Sequence, residues 1–284
     1  MTPIQSLVDL DCFAKPENLA FSRDGLLLAT TNSRDGAVHV FAVDPETHLV
    51  DPQPRATLRT EGDVNAHGVS FSPCSRFLAF TTVDEPGFVR VCRIHRDASG
   101  RIDAEVVQSL PNPHAPLKPK GIDFSPDGRF VSICYSPNAA RMKKRGIVRF
   151  FAGIAGAFGD RRGNGFLLVH PHAEGRIARD PIPGAKRRLR LNNPDDVKYF
   201  PNRSLLVVTD QAADTATLVQ LEERSGALRE RVMTLANPPA QLSFPHGIGI
   251  SEDGRYLAIA NYGDDKLAIY APWGEADPDR SSAG

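Results

Sequence analysis

The sequence predicts an all-β fold, a β-propeller of five four-stranded blades, and three observations carry that prediction. First, one signature recurs along the chain: Phe21-Ser22-Arg23-Asp24-Gly25, Phe71-Ser72-Pro73-Cys74-Ser75, Phe124-Ser125-Pro126-Asp127-Gly128, Tyr199-Phe200-Pro201-Asn202-Arg203 and Ile250-Ser251-Glu252-Asp253-Gly254. Second, each copy ends one short alternating apolar strand and begins another, as a tight Asp-Gly turn should. Third, a period of about 40 to 50 residues with room for four strands suits a blade that buries its two faces only against neighbouring blades.

The strands follow in order. The runs after the five signatures are Leu26 to Thr31, Phe77 to Thr82, Phe130 to Tyr135, Leu205 to Asp210 and Tyr256 to Asn261. Third strands are expected at Val38 to Val43, Val89 to Ile94, Val148 to Phe151, Thr217 to Leu221 and Leu267 to Tyr270. Fourth strands are expected at Ala56 to Arg59, Ala104 to Leu110, Arg187 to Leu191 and Arg229 to Leu235. The last copy has no fourth strand before the polar tail Ala276 to Gly284, whereas Ile4 to Leu10 is unassigned. An N-terminal strand closing the last blade would remove both sheet edges. The whole chain, 1–284, is thus one domain with an insertion at about 153–186. The glycine-rich insertion reads as an extended loop or hairpin around Phe166 to His170; six blades would follow if it held a degenerate blade, but it contains no further signature.

Composition narrows the function classes. Lys and Arg number 34, as do Asp and Glu, so nothing in the net charge calls for nucleic acid or an anionic membrane. The N-terminus lacks the basic and apolar regions of a signal peptide, and no run reaches the ~18 apolar residues of a membrane span, so a cytoplasmic location is expected. Cys12, Cys74, Cys92 and Cys134 form no CxxC pair and are expected as small core or turn residues. A basic cluster around the insertion (Arg141, Lys143, Lys144, Arg145, Arg161, Arg162, Lys186, Arg187, Arg188, Arg190) reads either as solvated charge or as a docking patch for an anionic or protein partner.

The stretch Pro245-His246-Gly247-Ile248-Gly249-Ile250-Ser251-Glu252-Asp253-Gly254-Arg255, with Pro119-Lys120-Gly121-Ile122-Asp123-Phe124 as a second match, resembles the repeat of YVTN-type and lactonase-like β-propellers. That resemblance implies the architecture. It leaves the activity open, because the group includes sugar-lactone hydrolases, lyases, metal-dependent hydrolases and plain scaffolds. Its members usually carry six or seven blades, so five is a departure, and no family catalytic residue is carried over.

The candidate chemistry comes from two columns of the repeat. In a propeller the first strand of each blade lines the central channel, so equivalent positions converge at one mouth. Four residues before each signature stand Glu17, His67, Lys120, Asp195 and His246, every one ionisable. Eleven residues after each signature's first position stand Asn32, Thr82, Tyr135, Asp210 and Asn261, at the end of the antiparallel second strand that returns to the same mouth.

His67, His246 and Glu17 fall on three consecutive blades and are the expected ligands of a divalent metal ion, a set suited to imidazole and carboxylate coordination. Lys120, Asp195, Tyr135 and Asp210 are the catalytic candidates, with Asp195 as general base, Lys120 as a charge partner and Tyr135 as a hydroxyl donor. Asn32, Thr82 and Asn261 are expected to bind substrate. Several have a plainer reading: Lys120 would form a structural ion pair with Glu17, Asp195 or Asp210, and Asn32 and Asn261 would cap loops. No nucleophile elbow, phosphate loop or dinucleotide fingerprint occurs. The expectation is a metal-dependent enzyme acting on a small carbonyl-bearing substrate by lactone or ester hydrolysis or a related lyase or isomerase step. The alternative is a non-catalytic scaffold or protein-interaction module.

Overall fold

Within each signature the serine folds the chain back on itself. Ser22, Ser125 and Ser251 donate through Oγ to Asp24, Asp127 and Asp253 Oδ1, each at 2.6 Å. The same Oγ atoms accept from the amides of Leu27, Phe130 and Tyr256 at 2.9 Å. Gly25, Gly128 and Gly254 take the left-handed conformation that the turn requires. In the second copy Ser75 occupies that conformation and Cys74 Sγ lies 3.3 Å from Ser72 Oγ in place of the aspartate.

A computed structural model describes residues 15–59, 65–97, 99–137, 165–182, 189–201, 203–224, 227–234 and 242–270. These residues form five antiparallel sheets arranged as the blades of a five-bladed propeller. Blade one is β1 (Pro16–Phe21), β2 (Leu27–Asn32), β3 (Val38–Ala42) and β4 (Ala56–Leu58), and blade two is β5 (Ala66–Phe71), β6 (Phe77–Thr82), β7 (Phe88–Arg96) and β8 (Ile102–Pro111). Blade three holds β9 (Lys118–Phe124), β10 (Phe130–Ser136) and β11 (Gly165–Ala173), with β12 (Arg176–Ile177) and β13 (Leu189–Leu191) sharing the outer edge of β11. Blade four is β14 (Pro194–Tyr199), β15 (Leu205–Asp210), β16 (Thr215–Arg224) and β17 (Ala227–Thr234). Blade five shows β18 (Pro245–Ile250), β19 (Leu257–Asn261) and β20 (Lys266–Tyr270) among the described residues. The N-terminal strand expected to close it, 4–10, and the tail 276–284 lie outside them.

Blade three corrects one expected strand. Its third strand is Gly165–Ala173, paired with β10 from Phe130↔Pro171 to Tyr135↔Phe166, inside the stretch assigned to the insertion. Phe166, Leu167, Leu168 and Val169 form a continuous buried run, the mark of a strand covered on both faces rather than of a surface hairpin. Val148–Phe151 and the basic cluster lie outside the described residues, apart from the backbone of Arg190 in β13.

The core is divided into layers between blades. Leu27, Val40, Val69 and Phe80 pack between blades one and two; Val89, Val91, Ile122 and Ile133 between two and three; Leu167, Val169, Val197 and Leu206 between three and four; Val207, Leu218, Leu257 and Ile259 between four and five. No such cluster joins blade five to blade one among the described residues. Leu28, Phe41 and Val43 instead form a small cluster of their own within blade one.

Candidate functional site

The same position on each second strand locks the inner strands together. Thr31 Oγ1 donates to the carbonyl of His67 at 2.6 Å, Thr81 Oγ1 to Lys120 at 2.5 Å, Cys134 Sγ to Asp195 at 3.4 Å and Thr209 Oγ1 to His246 at 2.8 Å. Each of these side chains also accepts from an amide in its own blade, namely Asn18, Gly68, Gly121 and Asp196. Four latches thereby fix the backbone of four first-column residues at the channel. The fifth equivalent is Ala260, which has no hydroxyl to offer Glu17, and the junction it would latch is the one without a shared core.

The glycines match this pattern. A Cβ on Gly68 would stand 2.3 Å from the Lys120 carbonyl oxygen, and one on Gly121 2.7 Å from Asp196 Cα. A Cβ on Gly247, the corresponding residue of blade five, would meet nothing within 4 Å. Blades two to four are in backbone contact near the axis, whereas blade five stands off from blade one.

Four of the five first-column side chains meet at Asp195. That carboxylate is 1% exposed; its Oδ1 carries the Lys120 ammonium and lies 3.8 Å from His67 Nε2, and its Oδ2 lies 3.0 Å from His246 Nδ1. The last approach is short but not in hydrogen-bonding alignment, and Oδ2 is buried without a hydrogen-bond partner, as is His67 Nδ1. The two imidazoles stack at 6.3 Å between centroids with their planes 22° apart. His67 is buried, while the His246 side chain is 30% exposed beside the cavity.

Electrostatics separates the roles. Burial would raise the Asp195 carboxyl, but Lys120, His67 and His246 together outweigh it and hold the group below the usual aspartate value, so it is ionised at neutral pH. Burial pushes the His67 imidazole down to about 4, with the Asp195 charge offsetting only part of the effect, so His67 is neutral. The neighbouring Asp196, also buried, is pushed up by burial, with Lys198 opposing. It accepts from Ile248 N at 3.1 Å and from Asn18 Nδ2 at 3.5 Å, tying blades one and five to blade four.

The expected metal set is not assembled. Glu17 pairs with Lys15 at 3.3 Å, and among the described residues no three His, Cys, Asp or Glu side chains converge as metal ligands. The cation that Asp195 holds is the lysine ammonium. The carboxylate that both imidazoles face is thus already paired with a cation of the protein's own.

The second column also divides. Tyr135 lies between blades two and three, with its ring centroid 4.8 Å from that of His114 and 5.2 Å from that of Phe166, and burial pushes its phenol up strongly. It belongs to an inter-blade core, not to the Lys120–Asp195 cluster. Asp210 accepts from the amides of Asn192, Asn193, Ala212 and Ala213, which makes it a loop cap rather than a base. Thr82 Oγ1 accepts from Phe88 N at 3.1 Å and Asn261 Oδ1 from Ser243 N at 3.4 Å, both also within loops. Asn32 is fully buried and has no side-chain partner among the described residues. Among the described residues Cys92 and Cys134 are buried and Cys74 sits in its turn, all three free thiols, and Cys12 lies outside the described residues.

The site contains three residues that the two columns missed. Asp196 and Asn18 stand one place beyond the first column, where the other blades have glycine, and that break in the repeat is their signal in the sequence. Tyr262, one place beyond the second column, lies 6.4 Å from His246 between ring centroids and had no signal beyond its place in a turn.

A cavity of about 630 Å³ opens from His67, Asp195, Asp196 and His246 into the gap between blades one and five. Glu17 and Asn18 stand at its polar end, and Leu19, Leu28, Ile248, Ala258 and Leu267 line the rest. Among the described residues no lysine or arginine lines it.

Comparison with known proteins gives the fold its relatives. A solved periplasmic gluconolactonase of Pseudomonas aeruginosa superposes with a TM-score of 0.57 at 20% identity, over 90% of this chain and 68% of that one. A putative 6-phosphogluconolactonase of Bacteroides uniformis gives 0.57 at 14%, over 87% and 64%. A functionally unknown protein of Desulfotomaculum acetoxidans gives 0.56 at 12%, over 90% and 65%. The fold shared with these structures is the β-propeller. At such identities the likeness speaks for the fold alone, and this chain spans less than two thirds of the length of the second and third of these structures. No family model matches the chain, and no curated protein matches it in sequence.

Proposed function

We propose that this lactonase-like propeller is a metal-independent hydrolase of neutral lactones or esters, with His246 as general base and Asp195 as its buried carboxylate partner. The observation that carries this reading is the pairing of an imidazole that is 30% exposed with an ionised carboxylate that is 1% exposed, 3.0 Å apart, at the end of a cavity. A proton on Nδ1, facing Asp195, leaves Nε2 as the acceptor. His246 then takes a proton from water as its oxygen attacks the carbonyl carbon. The ring or ester C–O bond breaks, and the imidazolium returns the proton to the leaving alkoxide. Asp195 stabilises the transient imidazolium, and alignment of such a pair commonly tightens only with substrate bound.

Lys120 keeps Asp195 ionised, and neutral His67 stacks against His246 to hold its ring plane. A cavity lined by Glu17, Asp195 and Asp196 and, among the described residues, by no lysine or arginine disfavours a phosphorylated substrate. The structural likeness to a gluconolactonase and a putative 6-phosphogluconolactonase supports the choice of reaction class. A pH-stat screen of lactones and esters in the presence of a chelator tests it. Turnover is expected to survive chelation and to fall at least about 100-fold in His246→Ala. Loss on chelation, or an unchanged rate in the variant, contradicts the assignment.

A further inference from the structure

Blade three carries a short outer hairpin that no other blade has among the described residues. β11 turns at Glu174 and Gly175, whose positive φ angles of 49° and 78° are those of a type I′ turn, and returns as β12. The hairpin is tied to blade two. Gln108 on β8 donates through Nε2 to the Ile177 carbonyl at 2.9 Å and accepts at Oε1 from the Ile177 amide at 2.8 Å, so its side-chain amide pairs with β12 as another strand would. Gly175 rests on the Phe77 ring, where a Cβ would stand 2.3 Å from Cε1. Glycine alone allows that approach, and it sets Arg176 beside blade two.

Arg176 then faces the same depression, of about 920 Å³, as Arg76 and Arg93 of blade two. The Arg76 and Arg93 guanidinium carbons each lie 5.9 Å from the centroid of the Phe77 ring, so the two charges gather around one residue. Among the described residues Glu174 is the one carboxylate lining the depression against these three cations. Arg93 Nη1 lies 3.3 Å from Glu105 Oε1, an exposed pair that a multivalent anion displaces at little cost. Arg76 and Arg176 have no carboxylate within ion-pair distance among the described residues. Three guanidiniums held together repel one another, and an anion placed between them relieves that repulsion.

The arginines stand on three separate strand ends, so a single carboxylate or phosphate cannot meet them all, whereas a chain of phosphoryl groups can. Phe77 and Ile177 are 6% and 2% exposed, which leaves an acidic peptide no apolar anchor there. We infer that the depression between blades two and three binds a polyphosphate group, free or carried on a larger molecule. The site is separate from the acidic cavity at Asp195 and does not depend on the hydrolase reading.

Calorimetric titration of the full chain with sodium tripolyphosphate at low salt tests it. Saturable binding is expected, weakened about five- to tenfold in each of Arg76→Ala and Arg176→Ala. Arg255→Ala, at an exposed arginine in the turn of blade five, is expected to bind as the native protein does. All three side chains are exposed, and circular dichroism checks that the variants keep the fold. ATP distinguishes the sources: a chain carried on a larger molecule is matched by it, and a free chain is not. Absence of binding, affinity unchanged in both Arg76→Ala and Arg176→Ala, or an equal loss in Arg255→Ala overturns the inference. Tighter binding of hexaglutamate than of tripolyphosphate also overturns it, in favour of an acidic protein partner.

Discussion

Lys120 and Asp195, from neighbouring blades, form a buried ion pair whose side chains are 13% and 1% exposed. Removing one partner strands the other charge. Lys120→Met is expected to cost about 3–5 kcal/mol at pH 7, measured by urea denaturation. Asp195 is held below its unfolded value, so the stability it contributes is complete above about pH 4 and is lost as pH falls through its folded value. The deficit of the variant should therefore narrow on strong acidification.

His67 sets a second pH dependence with its own window. Its imidazole titrates at about 4 when folded and at 6.5 when free, so the unfolded chain binds the proton first as pH falls. Stability is then lost between about pH 6.5 and 4, by about 2 kcal/mol at pH 5. Urea midpoints at pH 7.5 and 5 should show this slope in the native protein and a shallower one in His67→Gln. The opposite contribution of Asp196 is common to both proteins and cancels in the difference.

Gly121 and Gly247 occupy the same place in the repeat and should respond oppositely to alanine. At Gly121 the new Cβ would meet backbone at 2.7 Å, and a loss of about 2–3 kcal/mol is expected. At Gly247 it meets nothing within 4 Å, and a change between zero and a gain of about 1 kcal/mol is expected. Thermal unfolding of the two variants measures the contrast.

Tyr135→Phe should leave turnover within about twofold of the native rate, because the ring packs among His114 and Phe166 away from Asp195. Tyr135→Ala should cost about 3–5 kcal/mol of stability through the cavity it leaves. Steady-state kinetics on the first variant and urea denaturation of the second separate these roles.

The propeller was legible because the Ser-Xaa-Asp-Gly turn is local chemistry, repeated wherever Ser22, Ser125 and Ser251 bond their aspartates. The convergence of His67, Lys120, Asp195 and His246 was legible from column position for the same reason. The pairing within the ring was not, because which side chain crosses the axis depends on the offsets between blades. Asp195 reaches His67 two blades away, which makes it the hub, whereas Glu17 turns to Lys15. Tyr135 and Asp210 show the limit of a column argument: a position fixes where a side chain starts, and packing or loop amides decide where it points. The third strand of blade three was hidden because its signature-free, glycine-flanked run reads locally as a loop, and only its pairing with β10 identifies it.

The most direct measurement is kcat/KM for hydrolysis of a neutral alkyl lactone by the native protein and by Asp195→Asn, with folding of the variant checked by circular dichroism. A fall of roughly 100-fold or more with the fold retained is the predicted result. A folded Asp195→Asn protein with native kcat/KM would contradict the assignment of Asp195 and His246 as the working pair.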